Sequence, residues 1–197
     1  MNIYPLLLFA HICGVIGIFS GLGVWLFGAA LLWRAKRIEQ VRLVAALMIR
    51  SGYLVVASVV LIAAAGLTLA VQARGLEAAW IRVASVSFVM LGLIGAFVID
   101  PRVKRIVRLA QAVSGGPVTA EVDARMRDPL VSLGLLTMVA GLFGIVFLMT
   151  NKPSLDASLA VMAAAIAVGL VSGLLAAWHG RRLSRRETTA TGASAGG

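Results

Sequence analysis

The chain has few charged residues for its length. Only 13% of its 197 residues are Asp, Glu, Lys or Arg, while 60% are hydrophobic. Soluble domains carry about a quarter charged residues, which keep their surface hydrated. The composition therefore disfavours a soluble globular protein and predicts a membrane protein.

Five long stretches lack Asp, Glu, Lys and Arg altogether, at about residues 3–33, 51–71, 83–99, 130–150 and 157–178. A helix needs about 20 apolar residues to cross the hydrocarbon layer of a bilayer. Alternating strand patterns are absent from these stretches, which favours helices. We therefore predict an all-α bundle of five transmembrane helices in one domain over residues 1–180. The remaining tail, 181–197, is predicted to be basic and then disordered on the cytoplasmic side.

Basic residues are concentrated in alternate loops. Short cytoplasmic loops retain Lys and Arg, so their distribution predicts orientation. Fifteen of the eighteen basic residues fall on one side, which predicts an outside N-terminus and a cytoplasmic C-terminus. The richness in Ala, Gly and Arg is typical of a bacterial source, so we expect the protein in a bacterial cell membrane. Contact with anionic lipid headgroups explains the net charge of +10, so we expect no nucleic-acid partner. The fifteen are Arg34, Lys36, Arg37, Arg42, Arg50, Arg102, Lys104, Arg105, Arg108, Arg125, Arg127, Arg181, Arg182, Arg185 and Arg186.

The predicted spans contain no carboxylate and no Lys or Arg. Proton-coupled transporters and ion channels place such groups inside the membrane, so these functions are disfavoured. The sequence also has no Walker loop, HExxH, CxxC or nucleophile elbow, which disfavours the catalysis typical of soluble enzymes. The single cysteine, Cys13, excludes an intrachain disulfide.

Small residues recur on one face of three spans. Lipid provides no hydrophobic drive for helix association, so small residues that let backbones approach mark helix contacts. We expect the first, fourth and fifth spans to form the tight centre of the bundle, although such stripes can equally serve a homodimer. The glycines concerned are Gly14, Gly17, Gly21, Gly28, Gly134, Gly141, Gly144, Gly169 and Gly173.

Two polar features lie in or beside the spans. Asp100, at the inner end of the third span, is predicted to pair with Arg50 at the same depth. Asp100 and Pro101 together are typical of a helix start, so we expect a separate amphipathic helix there on the inner leaflet.

His11 is the other polar feature, in the outer half of the first span. We expect the His11 side chain to form an interhelical hydrogen bond. The alternative is that it is a ligand of haem b or copper. Met149 and Met162 also belong to the outer half, and their thioether sulfur suits either metal. Core packing is the simpler interpretation of both.

Two short motifs carry a family resemblance: Leu7-Leu8-Phe9-Ala10-His11-Ile12-Cys13-Gly14 and Phe147-Leu148-Met149-Thr150-Asn151-Lys152-Pro153. They resemble the ends of a bacterial family of predicted integral-membrane proteins classed as a domain of unknown function, over about residues 1–153. Members of that family usually have four spans, so a fifth departs from the pattern. More remotely, the position of His11 resembles the copper-resistance and haem-dependent protoporphyrinogen oxidase membrane families, which implies a haem or copper ligand there.

These observations favour a small multi-pass inner-membrane protein without enzymatic activity: a scaffold, accessory subunit or assembly factor. Its expected partners are anionic lipid and another membrane protein or a second copy of the chain. The alternative is a haem-binding or copper-binding protein with a redox role and His11 as a ligand. A carrier for an uncharged or lipid-like solute is a third possibility, because it needs no charge in the membrane.

Overall fold

The computed structural model describes the backbone of residues 3–72 and 75–194, and the side chains of 3–72 and 75–180. No β-strand occurs within these ranges. The elements are α1 (Tyr4–Leu32), α2 (Ile38–Gln72), a 3-10 turn (Gly75–Glu77), α3 (Ala79–Leu93), a π-helical segment (Ile94–Ile99), α4 (Asp100–Ala112), α5 (Ala120–Met126), α6 (Pro129–Asn151) and α7 (Leu155–Ser194).

Five helical stretches are long and apolar enough to cross a membrane, which confirms the predicted all-α bundle and makes this a multi-pass membrane protein. The third stretch runs without interruption from α3 through the π segment into α4, and the fourth combines α5 and α6. Large apolar side chains such as Tyr53, Phe97 and Val168 are exposed on the outside of the bundle, as a lipid-facing surface requires.

The first two helices form a tight hairpin. Gly14, Gly17, Gly21 and Gly28 all face α2, where side chains of Ile62, Ser58, Val55 and Met48 occupy the space that a Cβ would need. The Trp25 indole N–H donates to the Met48 carbonyl at 2.8 Å and ties the hairpin together near the start of α2. The first helix therefore packs mainly against the second.

The fourth membrane helix, α6, lies at the centre of the bundle. Of the residues in its most apolar stretch 56% are buried, against 17–33% in the other four. Gly134 and Gly141 face Ile99 and Leu91 of the third membrane helix, whereas Gly144 faces α7. The expectation that the first, fourth and fifth spans form the tight centre is therefore wrong, because α1 contacts α6 only lightly. Helices joined by a short connection usually pack against each other, and α1 is joined to α2 in this way.

The last two helices approach each other at their backbones. A Cβ on Gly169 would lie 2.5 Å from the Thr137 Cα, and one on Gly173 would lie 2.6 Å from the Leu133 Cα. Glycine is needed at both positions because the obstructing atoms are main-chain atoms that cannot rotate away.

The expected break at Asp100 does not occur. Asp100 has helical backbone angles, φ −55° and ψ −48°, and its N–H donates to the Gly95 carbonyl five residues back. A π turn widens the helix, so the ring of Pro101 is accommodated without ending it. The apolar face of α4 is buried in the protein, with Ile106 only 2% exposed, so α4 does not lie on the leaflet as expected.

The final helix is longer than the predicted span. Its backbone remains helical through Ser194, although the sequence predicts that the tail over residues 181–197 ends in disorder. Residues 195–197 of that tail lie outside the described residues. Between Trp178 and Ser194 there is no proline to end a helix, and Arg, Leu and Ala favour its continuation.

Candidate functional site

One end of the bundle carries a compact folded unit, which we call the basic cap and define as residues 33–42 and 100–128. It has an apolar core of its own, formed by the start of α2, by α4 and by α5. Each member of this core is at most 3% exposed: Ile38, Val41, Val103, Ile106, Ala110, Val122 and Met126. The loops at this end are therefore packed against a core, as in a soluble domain.

The two loops of the cap pair with each other. Ile38 donates its N–H to the Gly116 carbonyl at 2.9 Å, and Val118 donates to the Lys36 carbonyl at 3.1 Å, across an antiparallel bridge. Gly116 has φ +103°, a conformation that other residues rarely adopt, and so permits the turn. These bonds fix the 33–37 loop against the 113–119 loop.

Arg42 fixes the end of α4. Its Nε donates to the Ala110 carbonyl at 2.8 Å, and its Nη2 donates to the Val113 carbonyl. The last carbonyls of a helix have no partner within the helix and carry partial negative charge. The Arg42 guanidinium therefore stabilises them both by donating hydrogen bonds and by its positive charge.

Arg127 joins three elements and is the least exposed of the ion-paired basic side chains that the structure describes, at 13%. Its Nε forms an ion pair with Asp123 at 2.9 Å, and its Nη1 donates to the Gly180 carbonyl of α7 at 3.1 Å. Its Nη2 donates to the Trp33 carbonyl at 3.5 Å. Trp33 in turn donates its indole N–H to the Met126 carbonyl at 2.9 Å. The ends of α1 and α5 and the body of α7 are thereby held in one arrangement.

Acidic side chains of the cap are used as helix caps and ion-pair partners. Asp128 accepts from the Leu130 N–H at 3.0 Å and so caps α6, while Arg102 pairs with its other oxygen at 3.2 Å. Glu39, outside the predicted second span, accepts from the Gly116 N–H at 3.2 Å. Its own backbone N–H and that of Gly116 lower the pKa of the Glu39 carboxyl, and Arg37 beside it lowers the pKa further.

The predicted pair between Arg50 and Asp100 is not present. Asp100 instead forms an ion pair with Lys104 at 2.6 Å, one turn along the same helix. Four residues of separation bring two side chains together on one face of a helix, so this nearer partner replaces the distant one.

His11 lies in the α1–α2 hairpin, over Gly66 of α2. A Cβ on Gly66 would lie 3.0 Å from Cε1 and 3.1 Å from Nδ1 of the imidazole. Among the described residues the buried Nδ1 has no hydrogen-bond partner, so the expected interhelical bond is wrong for this atom. The imidazole faces Gly66, which has no side chain to accept a hydrogen bond. The backbone groups of α2 near the ring already form the hydrogen bonds of that helix.

The two methionines differ in their relation to His11. Phe19 of α1 meets Phe143 of α6, with ring centroids 5.0 Å apart. The two helices run in opposite directions, so Met149 lies about 9 Å and His11 about 12 Å beyond that level on the same side. Met162 packs against Gly144 and is therefore near the level of the phenylalanine pair. Met149, and not Met162, shares the depth of His11.

The described side chains do not build a closed metal site. No group of three or more His, Cys, Asp or Glu residues within the described ranges could hold a metal ion. Cys13 is two residues from His11 and points to the opposite face of α1, so the two cannot bind one ion together. The described residues supply one imidazole and a depth-matched thioether, which is an incomplete set for haem or copper.

Sequence reasoning did not find the basic cap. Its strongest signal is the spacing of Asp123 and Arg127, four residues apart in a segment that also carries the helix-capping Thr119. The bonds from Arg42 and Arg127 to backbone carbonyls could not be predicted from the sequence, because every residue has a carbonyl.

The chain matches no family model, no curated protein and no solved structure. The resemblance of its two short motifs to a membrane family thus remains an expectation.

Proposed function

We propose that this protein is a non-enzymatic scaffold, accessory subunit or assembly factor of a bacterial cytoplasmic membrane, and that it holds the basic cap as a fixed docking surface on the cytoplasmic side. The observation that carries the proposal is the way the cap is built. A separate apolar core and the backbone-directed bonds of Arg42 and Arg127 hold loops that connect spans and need no such order for that task. A surface ordered before contact binds a partner at lower entropic cost.

The chemistry of the cap indicates the kind of partner. Arg34, Arg37 and Arg105 project from it as exposed side chains. Exposed guanidinium groups steer and orient a surface of opposite charge. The partner is therefore another membrane protein with an acidic cytoplasmic surface, because a second copy of the chain would present the same basic cap. Anionic lipid headgroups bind the remaining basic residues, and nucleic acid is not a partner.

The proposal is tested by the mass of the protein in its native lipid. Membranes are solubilised directly into polymer discs, and the particle mass is compared with the protomer mass of 20.6 kDa. We expect a defined complex that dissociates when Arg34 and Arg105 are replaced by Glu. Replacement of Arg82, an exposed arginine at the opposite end of the bundle, by Glu is the matched control and should leave the complex intact. A lone monomer in native lipid contradicts the proposal.

The second candidate function, binding of haem b or copper, is favoured by one observation. The buried imidazole Nδ1 of His11 has no partner among the described residues, at the depth of Met149. Absorption spectra of the oxidised and reduced protein, with elemental analysis for iron and copper, test it. His11→Ala and Met149→Leu should each remove bound metal, whereas Met162→Leu should not. Unchanged metal content in His11→Ala would eliminate this function.

A further inference from the structure

A groove opens on the outside of the bundle between α2 and the continuous α3–α4 helix. It has a volume of about 560 Å³ and lies beside the C-terminal end of the π segment. Its apolar end is formed by Ile49, Ala96 and Phe97, and its charged end by Lys104 and Arg108, with Asp100 between them. We call it the lateral groove.

The lateral groove changes from apolar to charged along the helix axis. Phe97 and Arg108 are eleven residues apart, which corresponds to about 16 Å of helix. Phe97 is 73% exposed and lies toward the middle of the bundle, whereas Arg108 lies within the basic cap. An occupant must therefore be apolar where it faces the hydrocarbon and anionic where it meets the cap.

The charged end retains binding capacity. Asp100 occupies one donor of the Lys104 ammonium, which has three, and both side chains remain partly exposed. Arg108 is exposed and has no ion pair or hydrogen bond within the described ranges. Two positive charges against one negative leave a net charge of about +1, which favours an anion with several oxygen acceptors.

We propose that the lateral groove binds one anionic phospholipid of the inner leaflet. The phosphate contacts Lys104 and Arg108, and an acyl chain lies along Ala96, Phe97 and Ile49. The direction of the groove matches that of a lipid in this leaflet, with its headgroup toward the cytoplasm and its chain toward the bilayer centre. Phe97, Lys104 and Arg108 lie on one side of the helix because separations of seven and four residues return to the same face. The apolar end of the groove lies within the π segment, and π turns recur at functional sites.

This site differs from a diffuse attraction between basic residues and the membrane surface. Diffuse attraction depends on the number of charges near the leaflet and not on the shape of the groove. A specific site depends on both. A substitution at Ala96 distinguishes a specific site from diffuse attraction. The exposed Ala96 side chain can be replaced by a larger one that fills the apolar end of the groove without changing the charge.

The test uses native mass spectrometry of the full-length protein in detergent. Phosphatidylglycerol and phosphatidylcholine of equal chain length are titrated separately, and bound lipid is counted. We expect the wild type to retain one phosphatidylglycerol in preference to phosphatidylcholine. Lys104→Ala with Arg108→Ala should weaken retention of phosphatidylglycerol by about thirtyfold, from the loss of two nearby charges. Ala96→Trp should weaken it comparably.

The matched control removes two basic residues outside the groove, Arg105→Ala with Arg125→Ala, and should change retention much less, because neither side chain lines the groove. Unaltered elution volume and melting temperature show that each variant is folded. Wild-type retention in Ala96→Trp overturns the proposal, as does equal loss in the control. Competition by soluble glycerol phosphate as effective as that by the lipid also overturns it, because a free phosphate ester then suffices.

Discussion

A methyl group on Gly169 should destabilise the bundle measurably. The Cβ of Gly169→Ala would lie 2.5 Å from the Thr137 Cα and 2.9 Å from the Leu136 carbonyl oxygen. Ordinary contact begins at 3.4 Å, so α6 and α7 must separate locally by about 0.9 Å. A gap of that size forfeits about a quarter to a half of the dispersion energy of the contacts concerned.

The magnitude follows from two opposing effects. Overpacking of this kind costs about 2 kcal/mol, within the usual range of 1–3. Alanine is a better helix former than glycine by about 0.8 kcal/mol, which offsets part of the cost. We therefore expect a net loss of about 1 kcal/mol in the free energy of unfolding, roughly a fivefold change in the equilibrium constant.

Gly92→Ala is the matched control. No atom lies within 4 Å of a Cβ at Gly92, so only the gain in helix propensity applies. This variant should be as stable as the wild type or more stable by about 0.8 kcal/mol. Reversible unfolding of both variants in mixed micelles, followed by circular dichroism, measures the difference. Equal stability of the two variants would refute the close approach of α6 and α7.

Three further predictions concern the cap and the orientation. Arg127→Met should cost about 2 kcal/mol of local stability, because the carbonyls of Gly180 and Trp33 lose a charged donor, and hydrogen exchange in α5 should accelerate. Unchanged exchange there would contradict the bonding described. Trp33→Phe should produce a smaller acceleration, about fivefold, from the loss of one hydrogen bond to Met126. A reporter that is active only in the cytoplasm should be active when fused to the C-terminus. Activity of a periplasmic reporter at the same position would contradict the predicted orientation.

The five membrane helices could be predicted from sequence because bilayer thickness sets the length of an apolar run. Their pairing could not. The glycines of α1 show that its face is packed, yet nothing in the sequence says that Ile62 and Ser58 of α2 occupy it. The continuity of the helix through Asp100 could not be predicted either, because Asp followed by Pro ordinarily marks a helix start. The helix continues past this position by means of the π turn.

The candidate site was less predictable than the fold. Asp100 was expected to pair with Arg50 because both lie at one depth, but Lys104 lies one turn away on the same helix and needs no tertiary contact to reach it. The cap core combines short apolar stretches from three elements. The sequence does predict the apolar face of α4, but an amphipathic pattern does not distinguish a helix on the leaflet from one whose apolar face is buried in the protein. The groove forms between Ile49 of α2 and one face of the α3–α4 helix, so it depends on how the two helices are placed in the fold and not on composition.

Photo-crosslinking from the cap in living cells tests the proposed docking function most directly. A photoreactive amino acid replaces Arg34 in the cap and, as the matched position, Arg82 at the opposite end, both of which are exposed. We predict one discrete crosslinked protein product from position 34, none from position 82, and loss of the product when Arg127→Met loosens the cap. Crosslinks to lipid alone from position 34 would contradict the account.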